Sequence, residues 1–200
     1  SETLAMAAKA RELKNEGIDV IGLSLGEPDF NTPEFIKDAA IQAVNDNYNS
    51  YSPVDGYVEL KQAICTKFKR DNEIEYGLDQ IVVSTGAKQS IANVCMVLLD
   101  PGDEVLLPAP YWVSYSAIAT LAEATSTIIP SSIDTDFKIT PEQLEAAISP
   151  KTKLIMFNSP NNPSGIIYTE AEYRALGKIL EKYPDIYILS DEIYEHINYG

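Results

Sequence analysis

Short apolar segments alternate with amphipathic helical segments along this chain, and that alternation limits the fold more than any other feature. The apolar segments are Val20–Leu25, Ile81–Val83, Glu104–Leu107, Thr125–Ile129, Leu154–Asn158 and Ile186–Ser190. Nearly continuous apolar strands are typical of parallel sheets covered on both faces, and parallel neighbours need a crossover connection, usually a helix. The pattern therefore predicts an α/β fold with three layers, α/β/α, around a mainly parallel sheet.

Several of the intervening helices have recognisable start and stop signals. Thr32 followed by Pro33 predicts a helix start with Thr32 as the N-cap. The segments Thr140–Gln143 and Thr169–Glu172 both have the Ser/Thr-x-x-Glu/Gln pattern of a capping box. Gly17 is expected to end the opening helix, because glycine readily adopts the left-handed conformation that follows a helix.

Composition excludes several classes of protein. The 200 residues include 30 Asp and Glu against 15 Lys and Arg, a formal net charge of −15. Binding along a phosphate backbone depends on Lys and Arg, so nucleic acid is not an expected partner. No apolar run reaches the length of about 18 residues that a membrane span needs, and no secretory leader opens the sequence, so we expect a cytoplasmic location. Cys65 and Cys95 lack metal-ligand spacing, which predicts free thiols and no metal site.

Polar groups follow the predicted strands, at the edge where parallel α/β sheets bind ligands. The turn Ser84–Ser90 leads directly into a helical stretch, and unpaired backbone N–H groups at a helix start favour a phosphate. A turn built from small residues for steric reasons alone has the same composition. The segment Asn158–Gly165 is a long platform of Asn and Pro after another strand, although these residues are also common in plain loops.

Three further residues at strand ends are candidates for ligand contacts. Asp191 lies at the tip of an apolar strand, where a carboxylate is costly to bury unless it caps a helix or meets a positive group. Tyr194 follows three residues later. Trp112 could stack on a planar ligand or fill the core. His196, the single histidine, is expected to be a packed or surface residue.

Two ligand classes would fit these strand ends. An apolar strand ending in Asp191-Glu192 also occurs in magnesium-dependent ATPases, which need the phosphate-loop pattern G-x-x-x-x-G-K-[ST]. The chain has one Gly-Lys pair, Gly177-Lys178, with Glu172 in place of the first glycine and Ile179 after it, so this class is excluded. A phosphate cradle, an aromatic plate, an amide, a phenol and a carboxylate instead suit a flat, phosphorylated heterocycle with a basic ring nitrogen, which describes pyridoxal 5′-phosphate.

Seven motifs in order closely resemble the class I aminotransferases of the aspartate aminotransferase type, which are fold-type I enzymes dependent on pyridoxal phosphate. They are Gly26–Phe30, Tyr51–Pro53, Ser84–Ser90, Asp100–Val105, Pro110–Trp112, Asn158–Gly165 and Ser190–Tyr194. The resemblance extends from the first residues to Gly200. It implies pyridoxal 5′-phosphate as the cofactor, and amino-acid and 2-oxo-acid substrates, with aspartate as the favoured donor.

The resemblance also implies roles for single residues around the cofactor ring. Asp191 matches the carboxylate that pairs with the pyridine nitrogen, which an opposite charge in a dry site keeps protonated. Tyr194 and Asn162 match the residues that hydrogen-bond the phenolic oxygen of the cofactor, so Asp191 and Tyr194 would tune its reactivity. Trp112 matches the ring that stacks on the pyridine. The Asn162–Pro163 peptide bond matches one that is cis in relatives.

Other matching residues concern the phosphate, the substrate and a second subunit. Gly86, Ala87 and Lys88 match the phosphate-binding turn, mainly through backbone N–H groups. Tyr51 resembles a tyrosine that reaches the phosphate of the other subunit, which implies a homodimer with shared active sites. Gly26 resembles a backbone contact to the substrate, and Trp112 and Asn162 are expected to contact it as well.

The resemblance further implies that the chain is the N-terminal half of such an enzyme. Residues 1–30 are expected to associate with the small domain, and residues 31–200 to form a large cofactor-binding domain that is incomplete at its C-terminal end. The essential Schiff-base lysine is expected beyond Gly200, so the 200 residues alone should be inactive. Aromatic or branched-chain donors, a lyase of the same fold, and an inert cofactor-binding fragment remain as alternatives.

Overall fold

The computed structural model describes residues 2–22, 26 and 30–197, and it divides into two compact units, Ser1–Ser52 and Pro53–Gly200. The first unit contains helices α1 (Glu2–Asn15) and α2 (Glu34–Asn45). Gly17, with φ of +85°, follows α1 as predicted. The expected N-cap of α2 is wrong by one residue, because Pro33 itself is extended, with ψ of 143°, and precedes the first helical residue without a side-chain cap.

The second unit contains a four-stranded parallel sheet with the strand order β2-β1-β3-β4. In chain order its elements are α3 (Val58–Asn72), a 3-10 turn (Leu78–Gln80), α4 (Ala87–Leu98), β1 (Glu104–Pro108), α5 (Ser114–Leu121), β2 (Thr125–Ile129), a 3-10 turn (Ile133–Thr135), α6 (Pro141–Ala147), β3 (Thr152–Asn158), α7 (Glu170–Leu180) and β4 (Tyr187–Asp191). The predicted α/β fold with a parallel sheet is confirmed.

Both predicted capping boxes are also confirmed. Thr140 Oγ1 accepts a hydrogen bond from the N–H of Gln143 at 3.3 Å, and the Gln143 side chain accepts one from the N–H of Thr140 at 2.9 Å. Thr169 and Glu172 form the same reciprocal pair at the start of α7, at 3.3 and 2.7 Å. These signals are local in sequence, so the start of each helix is set by residues within its own first turn.

Helices cover both faces of the sheet, because alternate residues of each strand point to opposite faces. We call α4 and α5 with their core the α4/α5 layer; its buried residues include Ile91, Cys95, Leu99, Val105, Leu107, Tyr115, Ile118, Ala119, Leu154 and Met156. We call α6 and α7 with their core the α6/α7 layer; its buried residues are Leu106, Ile129, Ile139, Leu144, Ile155, Phe157, Tyr168, Leu176 and Leu180. This arrangement confirms the three-layer prediction.

Both cysteines are free thiols in the structure, as the sequence predicted. Cys95 is fully buried in the α4/α5 layer, and burial raises the pKa of its thiol to about 11. Cys65 lies on α3 and is half-buried.

Two of the predicted strands differ in the structure. Ile81–Val83 pairs with none of the described strands, so that prediction is wrong; the N–H of Val83 instead donates to the backbone oxygen of Asp55 at 3.0 Å. An apolar, β-branched run favours a strand only where a neighbouring backbone lies alongside. In Val20–Leu25, residues 20–22 are not in a strand and residues 23–25 lie outside the described residues. Within the part of the chain described here, no helix combines the length and apolar character needed to cross a membrane.

Candidate functional site

The polar site begins where β3 and β4 end side by side. Asn158 and Asp191 are the last residues of these strands and are partners in the sheet register. Both are buried, with exposed fractions of 6% and 8%. Asn158 Nδ2 donates to the backbone oxygen of Asp191 at 2.9 Å, and its Oδ1 accepts from the N–H of Asn162 at 2.7 Å. Asn158 therefore joins the end of β4 to the loop that follows β3.

The carboxylate of Asp191 has hydrogen-bond donors on both oxygens and no cation. Its Oδ2 accepts from the hydroxyl of Tyr115 at 2.6 Å, and its Oδ1 accepts from the N–H of Ile193 at 3.2 Å. No Lys, Arg or His among the described residues forms an ion pair with it. Because a buried carboxylate is costly unless a positive group meets it, this site is suited to a ligand that carries a positive charge.

Tyr115 connects this carboxylate to the aromatic part of the site. Its side chain is 1% exposed, and burial, reinforced by the hydrogen bond to Asp191, raises the pKa of its hydroxyl well above the usual range. The hydroxyl therefore stays protonated and acts as a donor. The rings of Tyr115 and Trp112 meet edge to face, with centroids 5.6 Å apart and an interplanar angle of 90°. Lys88 Nζ lies 4.9 Å from the centroid of the Trp112 ring.

The start of α4 offers open backbone donors. Gly86 precedes the helix with φ of +84° and ψ of 160°, a conformation that residues with a side chain rarely adopt. A Cβ at Gly86 would meet no atom within 4 Å, so the space beside it is open. The N–H groups of Ala87 and Lys88 have no acceptor among the described residues. Free N–H groups at the positive end of a helix dipole bind anions, and phosphate above all.

The loop after β3 brings an amide to a phenol. Asn162 Nδ2 lies 3.3 Å from the hydroxyl oxygen of Tyr194, in the turn that follows β4. The Asn162–Pro163 bond is cis, as the resemblance implied, and the Ser159–Pro160 bond is cis as well. Asn161 Nδ2 donates to the backbone oxygen of Pro110 at 3.3 Å, which ties this loop to the segment before Trp112.

Helix α3 holds the turn that carries Tyr194. The carboxylate of Glu195, the next residue, accepts hydrogen bonds from Lys67 and Asn72 near the end of α3. These hydrogen bonds, with Lys67 the larger contribution, hold the pKa of the Glu195 carboxyl below its usual range. His196 is exposed, with Nε2 3.6 Å from Glu195, so it is a surface residue.

Most of the residues predicted from sequence meet in one continuous series of contacts. From α4 to the turn after β4, the series runs Lys88, Trp112, Tyr115, Asp191, Asn158, Asn162 and Tyr194. Gly86 and Ala87 directly precede Lys88. Gly26 and Tyr51 belong to the first unit and are both exposed, and their roles stay predictions.

Sequence reasoning missed two members of this series, Tyr115 and Asn158. The signal for Tyr115 was its position three residues after Trp112, in the first turn of α5. The signal for Asn158 was a polar residue at the end of an otherwise apolar, buried strand. Each could have been found by asking where a buried polar side chain finds its hydrogen-bond partner.

Apart from Lys88, the side chains of the site are those of Asp, Asn, Tyr and Trp. In the described part of the chain, no group of three or more His, Cys, Asp or Glu side chains could hold a metal ion. The side chains of the site and the free N–H groups at the start of α4 can together hold a flat ligand with a positive ring atom and an anionic arm. The carboxylate without a cation would pair with the positive atom, and the free N–H groups would bind the anionic arm. The indole, the phenol and the amide would contact the ring and its substituents.

Comparisons with known proteins agree with this chemistry. The family model for aminotransferase class I and II matches residues 18–200. The aspartate/prephenate aminotransferase of Nitrosomonas europaea is 53% identical over 197 residues, which are 98% of this chain and 50% of that protein. The aspartate aminotransferase of Bacillus subtilis is 52% identical over 200 residues, 100% of this chain and 51% of that protein. The crystal structure of the Rhizobium meliloti aspartate aminotransferase matches with a TM-score of 0.95 and 48% identity, over 100% of this chain and 50% of that one. The chain thus spans about half the length of the relatives it matches.

Proposed function

The chain belongs to the aminotransferase class I and II family, and from this premise we propose that the full-length protein is a transaminase that uses pyridoxal 5′-phosphate. The reaction moves an amino group between an L-amino acid and a 2-oxo acid. Aspartate is the proposed donor, because the relatives from Nitrosomonas europaea and Bacillus subtilis both carry aspartate in their names. The first of those names also includes prephenate, which is therefore the second substrate to test.

One observation carries the proposal, namely the buried Asp191 carboxylate without a cation. Its exposed fraction is 8%, and both of its oxygens already accept hydrogen bonds, so the partner that it lacks among the described residues is a positively charged group. A protonated pyridine nitrogen would supply that charge, since opposite charges in a dry site favour the ionised pair. When bound, pyridoxal phosphate would supply a conjugated ring that delocalises the electron pair left on the substrate α-carbon once its proton has been removed. Asp191 keeps the ring nitrogen protonated for this purpose.

The other residues orient the ring and its substituents. Trp112 provides a flat surface for the pyridine, and Asn162 and Tyr194, 3.3 Å apart, provide hydrogen bonds to the phenolic oxygen. The N–H groups of Ala87 and Lys88, after the left-handed Gly86, bind the phosphate at the start of α4. Substrate contacts are proposed for Trp112, Asn162 and the backbone of Gly26.

The rest of the catalytic unit is proposed to lie outside these 200 residues. The lysine that binds the cofactor covalently would follow Gly200, in keeping with relatives about twice as long as this chain. Residues 1–30 would associate with the small domain, and residues 31–200 would form the N-terminal part of the large domain. We also propose a cytoplasmic homodimer in which Tyr51 reaches the phosphate bound by the partner subunit. Residues 1–200 alone would show no turnover.

The test is the visible absorbance spectrum of the full-length protein, purified with pyridoxal phosphate, before and after addition of aspartate. We expect a coloured protein whose band shifts towards that of the aminated cofactor with aspartate, and returns with the matching 2-oxo acid. Residues 1–200, expressed alone, are the matched control and should give no shift.

Three other results would redirect or contradict the proposal. A coloured protein that ignores aspartate but responds to an aromatic or branched-chain amino acid would change the donor. Release of ammonia or of a leaving group, without amino transfer to a 2-oxo acid, would indicate a lyase of the same fold. Absence of any cofactor band would contradict the role given to Asp191.

A further inference from the structure

Tyr115 contacts the side chains of two residues that are proposed to hold the cofactor, Asp191 and Trp112. Its hydroxyl lies 2.6 Å from Asp191 Oδ2, and its ring meets Trp112 with centroids 5.6 Å apart. We propose that Tyr115 is a positioning residue, whose hydroxyl holds the Asp191 carboxylate in place for the ring nitrogen and whose ring sets the plane of the Trp112 indole. This inference rests on the proposed function, because Asp191 and Trp112 are the residues proposed there to contact the cofactor ring.

The hydroxyl is the donor that the carboxylate depends on. Asn158 fixes the backbone of Asp191, at 2.9 Å, but it does not contact the carboxylate. The side chain is held by Ile193 on Oδ1 and by Tyr115 on Oδ2. Loss of the Tyr115 hydroxyl would leave Oδ2 without its donor, so the carboxylate would no longer be held in the position proposed for contact with the ring nitrogen. A displaced carboxylate would stabilise the protonated ring nitrogen less, because the attraction between opposite charges falls with distance.

The ring of Tyr115 is fixed by its own surroundings. It is 1% exposed and belongs, with Ile118 and Cys95, to the buried core of the α4/α5 layer. The N–H of Tyr115 also donates to the backbone oxygen of Trp112 at 3.0 Å, so the turn between the two residues is closed. An edge-to-face contact with this buried, hydrogen-bonded ring limits the orientations of the half-buried indole.

The test uses Tyr115→Phe in the full-length protein, loaded with pyridoxal phosphate carrying an isotopically labelled ring nitrogen. This variant keeps the ring and removes the hydroxyl alone. We expect the nitrogen resonance to move from the protonated towards the unprotonated position. We also expect the Kd of the apoprotein for pyridoxal phosphate to rise by about tenfold, in line with the loss of one hydrogen bond to a charged group.

The matched control is Tyr168→Phe, which removes another buried tyrosine hydroxyl. Tyr168 is 7% exposed and accepts a hydrogen bond from the N–H of Ile139 at 3.0 Å, in the α6/α7 layer. We expect this variant to lose stability while the nitrogen resonance and the cofactor Kd stay at wild-type values. An equal change in both variants would mean general loosening and would overturn the inference.

Two further comparisons separate the parts of the inference. Tyr115→Leu removes the ring as well, and should bind the cofactor more weakly than Tyr115→Phe; equal affinities would overturn the role of the ring. In an Asp191→Asn background, Tyr115→Phe should not change the nitrogen resonance further, and an additional change would overturn the link through Asp191. Wild-type protein without bound cofactor would contradict the proposed function itself. Cofactor-loaded wild type and Tyr115→Phe with the same resonance and Kd would overturn this inference alone.

Discussion

The two helical layers cover the same sheet, yet they use their polar groups in opposite ways. In the α6/α7 layer, both helices begin with a capping box, and the Tyr168 hydroxyl accepts from the backbone of Ile139. In the α4/α5 layer, neither helix has a side-chain cap, and the Tyr115 hydroxyl donates to Asp191. Polar groups satisfied within a layer stabilise it, whereas those left open or directed at the strand ends are the ones to which the proposed function assigns cofactor contacts. Changes in the first layer should therefore affect stability, and changes in the second should also affect cofactor binding.

The largest effect is expected from Asp191→Asn. The amide keeps the size of the side chain but removes the charge that is proposed to hold the ring nitrogen protonated, so kcat should fall by about a thousandfold, or ~4 kcal/mol. Steady-state kinetics of the full-length protein measure it. The control is Glu192→Gln, because Glu192 is exposed and its carboxylate accepts a hydrogen bond from Ser190 Oγ at 2.7 Å, outside the series of contacts that includes Asp191. A near wild-type rate in Asp191→Asn would contradict the proposed role of Asp191 as the partner of the ring nitrogen.

Leu176→Ala should give the largest loss of stability without a loss of cofactor binding. Leu176 of α7 is 2% exposed, and a cavity at such a site lowers the free energy of unfolding by about 2–5 kcal/mol. Urea denaturation measures this loss, and titration with pyridoxal phosphate should give an unchanged Kd. The counterpart in the α4/α5 layer is Ile118→Ala, one turn after Tyr115, which should lower the free energy of unfolding and also raise the Kd for pyridoxal phosphate. Equal cofactor affinities in the two variants would contradict the expectation that changes in the α4/α5 layer affect cofactor binding more than changes in the α6/α7 layer.

Thr169→Ala tests the capping boxes with a smaller expected effect. Loss of the hydroxyl leaves the N–H of Glu172 without its cap, which lowers the free energy of unfolding by about 1 kcal/mol. Thr169→Ser keeps the hydroxyl and is the matched control, with stability close to wild type. Urea midpoints measure the difference. If the cofactor spectrum of Thr169→Ala also shifts, the effect is not confined to the α6/α7 layer, and the comparison is wrong.

The smallest effect is a pH dependence from Glu172. Hydrogen bonds from Thr169 and Lys138, the Thr169 backbone first, hold the pKa of the Glu172 carboxyl below its usual range. A lowered folded-state pKa contributes stability above the unfolded-state pKa of about 4.3, and this stability is lost as the pH falls through the folded-state pKa. Glu172→Gln keeps the capping pattern but removes the charge, so it should cost at most about 1 kcal/mol at neutral pH.

That cost should shrink as the pH falls below about 4. Urea midpoints of wild type and Glu172→Gln, measured from neutral pH downwards, should therefore converge. A difference that grows on acidification would contradict the sign of this argument.

The sequence predicted those parts of the fold that depend on neighbours along the chain. Thr140 and Thr169 cap their helices through residues three positions away, and the strand Thr125–Ile129 has the bounds that its apolar pattern indicates. The prediction for Ile81–Val83 was wrong because a strand also needs a backbone beside it, which the composition of the segment does not reveal.

The site could be predicted in part for the same reason. Motifs with a fixed order, such as Ser190–Tyr194, carried the resemblance and with it the expected roles of Asp191 and Tyr194. Asn158 and Tyr115 escaped because their partners are distant in sequence, with Tyr115 reaching across 76 positions to Asp191. Only the register of β3 with β4, and the packing of α5 on the sheet, bring those pairs within hydrogen-bond distance.

The series of contacts from Lys88 to Tyr194 also has a consequence for the affinity with which a ligand can bind. Each of its members already has a partner that limits the rotation of its side chain. Ordering a free side chain on binding costs about 0.5–1.5 kcal/mol, so a site whose groups are ordered beforehand keeps more of its contact energy as affinity. The conformational entropy of these side chains is therefore lost when the chain folds, and a ligand that binds at this site would not have to order them.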